Sequence, residues 1–236
     1  MKILSAIILV VICTCPLFSQ SDITKSKLSV MSLPKAEIEV GLQVIIPTAT
    51  FRQNIGAIPV GLSGKYYRSF GPKFMLGAEV NAACISHAEY TIALDNGDEV
   101  TLEETENMWG VMLGGRFNFI GTAAFRTYTE VRVGTNSFNT TVTSCNEVAK
   151  EYLENQSHGT SLVSSLGLGF SFDPKALFKG ESGNTWIALR GAYVVGTSTN
   201  YRRAPESNTL ASLNNHIYNS SIGYIDLGIS ASWQIR

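Results

Sequence analysis

The sequence predicts an all-β fold: an eight-stranded antiparallel up-and-down transmembrane β-barrel with long external loops and short periplasmic turns. Three observations predict it. Eight segments alternate apolar with polar residues, as strands do when successive side chains point to opposite faces. The links between these segments are alternately short and long. The polar face of the segments combines charged residues with glycines.

The alternating segments define the strands in order. Residues 127–135, "TYTEVRVGT", show the pattern most clearly, because Thr129, Val131 and Val133 alternate with charged residues and a glycine. The predicted strands are 36–47, 58–68, 73–85, 108–120, 125–137, 161–172, 185–196 and 221–236. In order, the residues of their apolar faces are Ile38, Val40, Leu42, Val44 and Ile46; Val60, Leu62 and Tyr66; Phe74, Leu76, Ala78, Val80, Ala82 and Cys84; Val111, Leu113, Phe117 and Phe119; Thr129, Val131 and Val133; Leu166, Leu168, Phe170 and Phe172; Ile187, Leu189, Tyr193 and Val195; Ile225, Leu227, Ile229, Ala231 and Trp233.

The lengths of the links orient the strands. Links 69–72, 121–124 and the longer 173–184 alternate with links 48–57, 86–107, 138–160 and 197–220. Between antiparallel neighbours, one set of links falls at one end of the barrel and the other set at the opposite end. Short periplasmic turns and long external loops are typical of outer-membrane barrels. No segment is expected to form a long helix, and residues 145–155 could form a short helix or a turn.

The polar face of the strands must avoid lipid. A base at the bilayer midplane costs roughly 2–4 kcal/mol, and an acid somewhat less. We therefore predict that this face lines the lumen as a charge network. Its members are Glu37, Glu39, Lys65, Glu79, Arg116, Glu130, Arg132, Arg190 and Asp226.

A soluble, lipocalin-like barrel would place the same charges in water and the apolar face inside. Three features favour the membrane arrangement. Glycines on the charged face make room in a crowded lumen, aromatic residues cluster at the short-link end as in an interface girdle, and the links differ in length between the two ends.

Residues 35–236 resemble the small eight-stranded outer-membrane β-barrel proteins, the OmpA/OmpX-like group widespread in Bacteroidota. The resemblance implies an integral outer-membrane location and contact with lipid and lipopolysaccharide. No cofactor or metal is expected, because the sequence has no nucleotide-binding or standard zinc motif. The chain ends "SWQIR", with Trp233 near the terminus, where such barrels often end in Phe.

The first residues predict export. Residues 1–20 read as a signal peptide, because Lys2 precedes the apolar stretch Ile3–Ile12. A lipoprotein signal ending at Cys13 or Cys15 is the alternative. Residues 21–34 are then a periplasmic N-terminal segment and residues 35–236 the barrel. No later apolar run approaches the ~18 residues of a membrane-spanning helix.

Charge and motifs exclude several activities. A net charge of −1 argues against nucleic-acid binding, and no nucleotide-binding or standard zinc motif occurs. His216, Ser220 and Asp226 are the candidates for an enzyme resembling the outer-membrane lipid A deacylases, but their spacing departs from the His-x-Ser-Asn element of that family.

The segment 88–107 predicts an acidic β-hairpin. Asn96-Gly97 is a strong turn signal, and the pattern places Ile92 opposite Leu102 and Leu94 opposite Val100. Calcium at its acidic tip is an alternative to a plain solvated loop. We also predict a disulfide between Cys84 and Cys145, with two separate thiols as the alternative.

Together these features predict a non-enzymatic structural or interaction component, in adhesion or as a partner in a complex, whose lumen is plugged by charged side chains. A protein partner would contact the external loops. The alternatives are a small porin-like pore, the deacylase-like enzyme and the lipocalin-like binding barrel.

Overall fold

The computed structural model describes residues 33–55, 57–93, 99–122, 124–144, 157–179, 183–202 and 217–235. Every strand pairs antiparallel with its chain neighbours, and β8 pairs with β1, so the sheet closes into an eight-stranded up-and-down barrel. The predicted fold is therefore confirmed. The strands are β1 Ala36–Pro47, β2 Val60–Ser69, β3 Phe74–Ala93, β4 Glu99–Gly121, β5 Phe125–Ser144, β6 Ser157–Phe172, β7 Thr185–Arg202 and β8 Ile217–Ile235.

The apolar face of the strands points outward. Leu113 on β4 is 62% exposed and Leu166 on β6 is 63% exposed. A water-soluble barrel would bury these side chains, so the lipocalin-like arrangement is not supported. We call the exposed apolar band the belt; it comprises Val40, Leu42, Val60, Leu62, Leu76, Val80, Trp109, Val111, Leu113, Phe117, Phe119, Val131, Val133, Leu162, Leu166, Leu168, Tyr193, Val195, Leu227 and Ile229.

Three strands continue well beyond the belt. β3, β4 and β5 have 20, 23 and 20 residues, whereas about 9–11 residues of a tilted strand cross a bilayer. The predicted ends at residues 85, 108 and 137 were therefore wrong, and so were those at residues 196 and 221, because β7 reaches Arg202 and β8 begins at Ile217. The ladder between β3 and β4 runs without a long loop up to Ala93 opposite Glu99.

The predicted register of this hairpin was also wrong. Leu102 pairs with Tyr90, and Val100 pairs with Ile92. The register is set along the whole ladder, which begins with Phe74 opposite Phe117 and shifts at a bulge between Cys84 and Ser86. The Asn96-Gly97 signal alone did not fix it, and residues 94–98 lie outside the described part of the chain.

Two short helices lie in links where none was predicted, and residues 145–155, predicted as a short helix or a turn, lie outside the described residues. Helix α1 spans Ala49–Asn54 at the external end, and helix α2 spans Pro174–Lys179 at the periplasmic end. Asp173 caps α2, because its Oδ1 accepts hydrogen bonds from the backbone N–H groups of Lys175 and Ala176 at 2.9 and 3.3 Å. Within the described ranges, no helix has both the length and the apolar character needed to cross a bilayer.

Candidate functional site in the barrel interior

All nine residues of the predicted charge network point into the barrel. They lie on seven strands, each is at most 6% exposed, and they face one another across the lumen. The closing of the sheet brings them together, since residues of one parity on every strand share the inner face. The interior at this level is therefore filled with ion pairs.

Arg116 on β4 organises the ion pairs nearer the periplasmic end. Its Nη1 donates to Glu39 Oε1 at 2.6 Å and to Glu37 Oε1 at 3.2 Å, and its Nη2 donates to Glu130 Oε2 at 3.1 Å. Lys65 Nζ lies 3.2 Å from Glu39 Oε2. One guanidinium thus holds acids from two different strands.

Two tyrosine rings enclose the same guanidinium. The Arg116 Cζ atom lies 4.1 Å from the centroid of the Tyr67 ring and 4.0 Å from that of Tyr128. Each contact is a cation–π interaction in a site without water access. The Tyr67 hydroxyl also donates to Glu130 Oε2 at 2.7 Å.

Glycines make room for these rings. A Cβ atom on Gly77 would lie 2.5 Å from Cδ1 of Tyr67, and one on Gly169 would lie 2.3 Å from Cζ of Tyr128. The glycines on the polar face therefore serve close packing in the interior.

A second group of ion pairs lies nearer the middle of the barrel. Arg190 Nη1 donates to Glu79 Oε2 at 2.8 Å, and its Nη2 donates to Asp226 Oδ2 at 2.5 Å. Arg132 contacts Glu79 through Nη1, and its Nε lies 3.0 Å from Glu130 Oε1. Glu130 therefore joins the two groups, because it contacts Arg116 as well.

The sequence analysis missed a fifth base. Arg126 on β5 is 1% exposed, its Nη1 lies 3.0 Å from Glu37 Oε2, and its guanidinium lies 4.4 Å from the Trp186 ring. Arg126 is an even-numbered residue of β5, like Glu130 and Arg132. The alternation of the sequence therefore placed it on the inner face with them. With Arg126, five carboxylates face five bases, and the charge network is neutral.

An apolar layer fills the interior on the external side of the charges, and it was also missed. Phe51 of helix α1 and Ile55, which follows the helix, both belong to it. The Phe51 ring meets Phe138 edge-on at 5.9 Å between centroids and lies 6.3 Å from Tyr224. We call this layer the plug; its members are Ile45, Phe51, Ile55, Ala83, Ile85, Met108, Met112, Phe138, Val163, Val194, Ile222 and Tyr224.

The external hairpin differs from a uniformly solvated acidic loop. Glu104 and Glu106 point inward and are 2% and 4% exposed. On β4 they lie beyond Trp109, outside the belt. Burial, followed by the neighbouring carboxylate of Glu104, raises the pKa of Glu106 to about 8, against a smaller lowering by the hydrogen bond from Ser86.

The described residues near the hairpin tip form no group of side chains that could bind a metal ion. Glu89, Glu99 and Glu103 are exposed, whereas Asp95 and Asp98 lie outside the described residues. Among the residues that the structure does describe, no three His, Cys, Asp or Glu side chains group closely enough to hold a metal ion.

The cysteine pair remains a prediction. Cys84 is exposed on the outer face and is a free thiol in the described part of the chain, and Cys145 lies outside that part. Cys84 pairs with Asn107, which pairs with Asn139, whereas Ser144 pairs with Leu102. A bond to Cys145 would therefore require Ser144 to leave its ladder position, since bonded cysteines have Cα atoms within about 7 Å.

The three deacylase-like residues are not seen together. Ser220 and Asp226 both point inward on β8, but six residues of strand, about 20 Å, separate them. Asp226 is held by Arg190, and His216 lies outside the described residues. The enzyme alternative gains no support from this geometry.

Comparison with known proteins supports the fold. No protein-family model and no curated protein matches the chain. Among solved structures, Neisserial surface protein A has a TM-score of 0.54 at 8% identity, over 85% of this chain and 97% of that chain.

Two further solved structures are similar at lower scores. The attachment invasion locus protein Ail of Yersinia pestis, in complex with the heparin analogue sucrose octasulfate, has a TM-score of 0.44 at 14% identity, over 85% of this chain and 99% of that chain. The outer membrane protein OprG of Pseudomonas aeruginosa has a TM-score of 0.41 at 13% identity, over 86% and 97%. The closed barrel, its apolar belt and the match to Neisserial surface protein A show that the chain has the fold of the small eight-stranded outer-membrane β-barrels.

Proposed function

We propose that this chain is an integral outer-membrane protein that acts as a structural or interaction component through its external strands, and that it is neither a channel nor an enzyme. The burial of the charged and apolar side chains inside the barrel is the observation that supports this proposal. A neutral set of ion pairs fills the lumen within the belt, and the plug fills the lumen above it.

Both layers oppose solute passage for separate physical reasons. A permeating ion would have to displace a guanidinium or a carboxylate from a buried pair, which strands the other partner at a cost of about 3–5 kcal/mol. It would then have to enter the apolar plug without its water. An eight-stranded barrel is only just wide enough for side chains to fill it, so these groups occupy most of the interior along the described strands.

The strands beyond the belt supply the interaction surface. On β4, Asn107 to Glu99 add about 30 Å of strand beyond Trp109. We call the outward face of this extension the polar wall; it comprises His87, Glu89, Thr91, Glu99, Thr101, Glu103, Thr105, Asn107, Ser137, Asn139, Thr141 and Thr143. Hydroxyl, amide and carboxylate groups suit a protein or a polysaccharide better than a lipid tail.

The proposed location is testable by itself. An exported mature chain should fractionate with the outer membrane and migrate differently on gels before and after heating. Recovery of the mature chain as a soluble periplasmic protein would contradict the membrane proposal.

Planar-bilayer recording tests the sealed interior. We expect purified protein to give no sustained conductance steps. Stable steps of the size that porins give would overturn the plugged barrel and favour the pore. For the deacylase-like alternative, mass spectrometry of lipid A with and without the protein should give the same acyl pattern.

Co-purification tests the polar wall. The test variant has a shortened hairpin, in which Asn-Gly replaces residues 89–103. This joins the directly paired Ala88 and Glu104 through a tight turn. We expect a partner to co-purify with the tagged wild-type protein after gentle detergent extraction and to be lost with the shortened hairpin. Equal recovery with both proteins would contradict the role of the wall, provided that heat-modifiable migration shows both to be folded.

A further inference from the structure

The inner face of the external hairpin places oxygen atoms together above the plug. Glu104 and Glu106 on β4 both point inward and are almost completely buried. In the ladders, Glu106 lies opposite Ser86 of β3 on one side and opposite Thr140 of β5 on the other. Directly opposite residues on one face have Cβ atoms about 4.5–5.5 Å apart, so these side chains share a small volume.

Two buried oxygens in this volume have no hydrogen-bond partner. Glu106 Oε2 accepts a long hydrogen bond of 3.4 Å from the Ser86 hydroxyl, but Glu106 Oε1 has none. Thr140 is 1% exposed, and its Oγ1 has none either. Buried polar atoms are nearly always satisfied in folded proteins, so two unsatisfied atoms on directly paired, inward-facing residues indicate a missing partner.

The missing partner should be positively charged. Among the described residues, no base lies within ion-pairing distance of Glu106, and the nearby charged group that acts on it is the carboxylate of Glu104. The five bases of the charge network are already matched by five carboxylates below the plug, so they do not serve the hairpin.

We propose that Glu106, Glu104, Thr140 and Ser86 form a binding site for a hard divalent cation, with calcium as the best fit. All the ligand atoms that these residues offer to a metal are oxygens, which disfavours soft metals and metals that prefer nitrogen ligands. Calcium accepts irregular sets of carboxylate and neutral oxygens, whereas magnesium demands a near-octahedral arrangement. The site differs from the hairpin tip, because its ligands face the interior and come from three strands.

Such a cation would tie the three extended strands together. β3, β4 and β5 are held above the belt by their ladders, and the site adds a contact that joins all three on the inner side. The polar wall on the outer side would then be stiffer with the cation than without it. The site does not depend on the proposed sealed lumen, and its test does not use conductance.

Calorimetric titration of the full-length refolded protein tests the site. The protein in detergent is first stripped with a chelator, and calcium chloride is then added, with magnesium chloride in a parallel titration. We expect one calcium per chain, with binding weakened about tenfold or more in Glu106→Gln and less strongly in Thr140→Val; a tenfold change corresponds to about 1.4 kcal/mol. Magnesium should bind more weakly than calcium.

Glu103→Gln is the matched control. Glu103 lies on the same strand and loses the same charge, but it points outward and is exposed. We expect its calcium affinity to stay within about twofold of wild type, because a change of less than 0.5 kcal/mol is usual for surface charge.

Thermal unfolding gives a second readout, because a ligand that binds only the folded state raises the unfolding temperature. We expect calcium to stabilise wild type and Glu103→Gln, but not Glu106→Gln. Absence of both heat and stabilisation up to millimolar calcium, or equal weakening in Glu103→Gln and Glu106→Gln, would overturn the proposal. If Glu106→Gln does not refold, Thr140→Val compared with Glu103→Gln decides.

Discussion

Arg116 on β4 and Glu39 on β1 lie 77 residues apart in the chain, yet Arg116 Nη1 donates a 2.6 Å hydrogen bond to Glu39 Oε1. β1 and β4 are not neighbours, since β2 and β3 lie between them. The ion pair therefore crosses the lumen and braces opposite walls. This cross-lumen bracing explains why the interior charges should matter to stability as a set.

The first prediction concerns Glu130, the acid that joins both groups of ion pairs. Glu130→Ala leaves Arg116 and Arg132 without a shared carboxylate, and Arg132→Ala leaves Glu79 and Glu130 undercompensated. Each should lower the free energy of unfolding by about 3–5 kcal/mol, because a buried charge loses its partner. Urea unfolding in detergent, followed by tryptophan fluorescence, measures it.

The double variant sharpens this test. Glu130→Ala with Arg132→Ala should cost clearly less than the two single changes added together, because the two residues share a contact. Arg52→Ala is the control, since Arg52 is exposed on α1, and it should change stability by no more than about 0.5 kcal/mol. Full additivity of the two interior changes would contradict a shared network.

The second prediction uses glycines on two adjacent strands. Gly77→Ala should destabilise the barrel by about 1–3 kcal/mol, because the added methyl group overlaps the Tyr67 ring and the Tyr66 carbonyl oxygen. Gly64→Ala should be nearly neutral, because its Cβ atom would meet only Val80 Cγ2, at 3.6 Å. The same unfolding assay compares them, and equal effects would rule out the packing argument.

The third prediction concerns the plug. Phe51→Ala removes the ring that α1 places against Phe138 and Tyr224, and it should cost about 3 kcal/mol. The amide protons of Ala49–Asn54 should exchange faster with solvent. The exposed neighbour Thr50→Ala should leave exchange unchanged. Conductance should stay absent in Phe51→Ala, because the charge network still fills the lumen.

The fourth prediction is a pH dependence with chelator present. Glu106 has a folded pKa of about 8 against an ordinary value of 4.5. Between these values the folded state holds a proton that the unfolded state has lost, so the stability of wild type should fall as pH rises from about 4.5 to about 8. The charged group facing it is Glu104, while β3 and β5 present the hydroxyls of Ser86 and Thr140.

Glu106→Gln removes this proton linkage. The variant should therefore be more stable than wild type at pH 9, and the difference should shrink towards pH 4. Unfolding curves at several pH values measure it. A difference that is the same at pH 5 and pH 9 would show that burial does not hold the proton on Glu106.

The barrel, and which side chains of its strands point inward or outward, could be predicted because successive residues of a strand point to opposite faces. In the belt, every second residue meets lipid, so residues such as Val131 and Arg132 report their sides directly. The same rule would have found Arg126, which lies within the predicted strand 125–137.

The ends of β3–β5 were not predictable by that rule, because the solvent changes from lipid to water above the belt. There the inward face combines apolar residues such as Val100 and Leu102 with the buried Glu104 and Glu106, while Thr101 and Glu103 face outward. The apolar residues therefore change from the outward to the inward face although the strand continues. In the sequence, this change makes the extension look like a separate hairpin. The contact of Phe51 with Phe138 was hidden for another reason: it joins a loop helix to a distant strand.

The distribution of the interior charges has a consequence for biogenesis. β1–β4 carry three of the five carboxylates and two of the five bases, and β5–β8 carry two carboxylates and three bases. Each half of the ring is thus charged by itself, with opposite sign, and neutrality exists only once β8 has joined β1. Because charge is costly in hydrocarbon, the bilayer should select against half-inserted chains and accept the completed ring. We therefore expect stable insertion only after β8 has paired with β1.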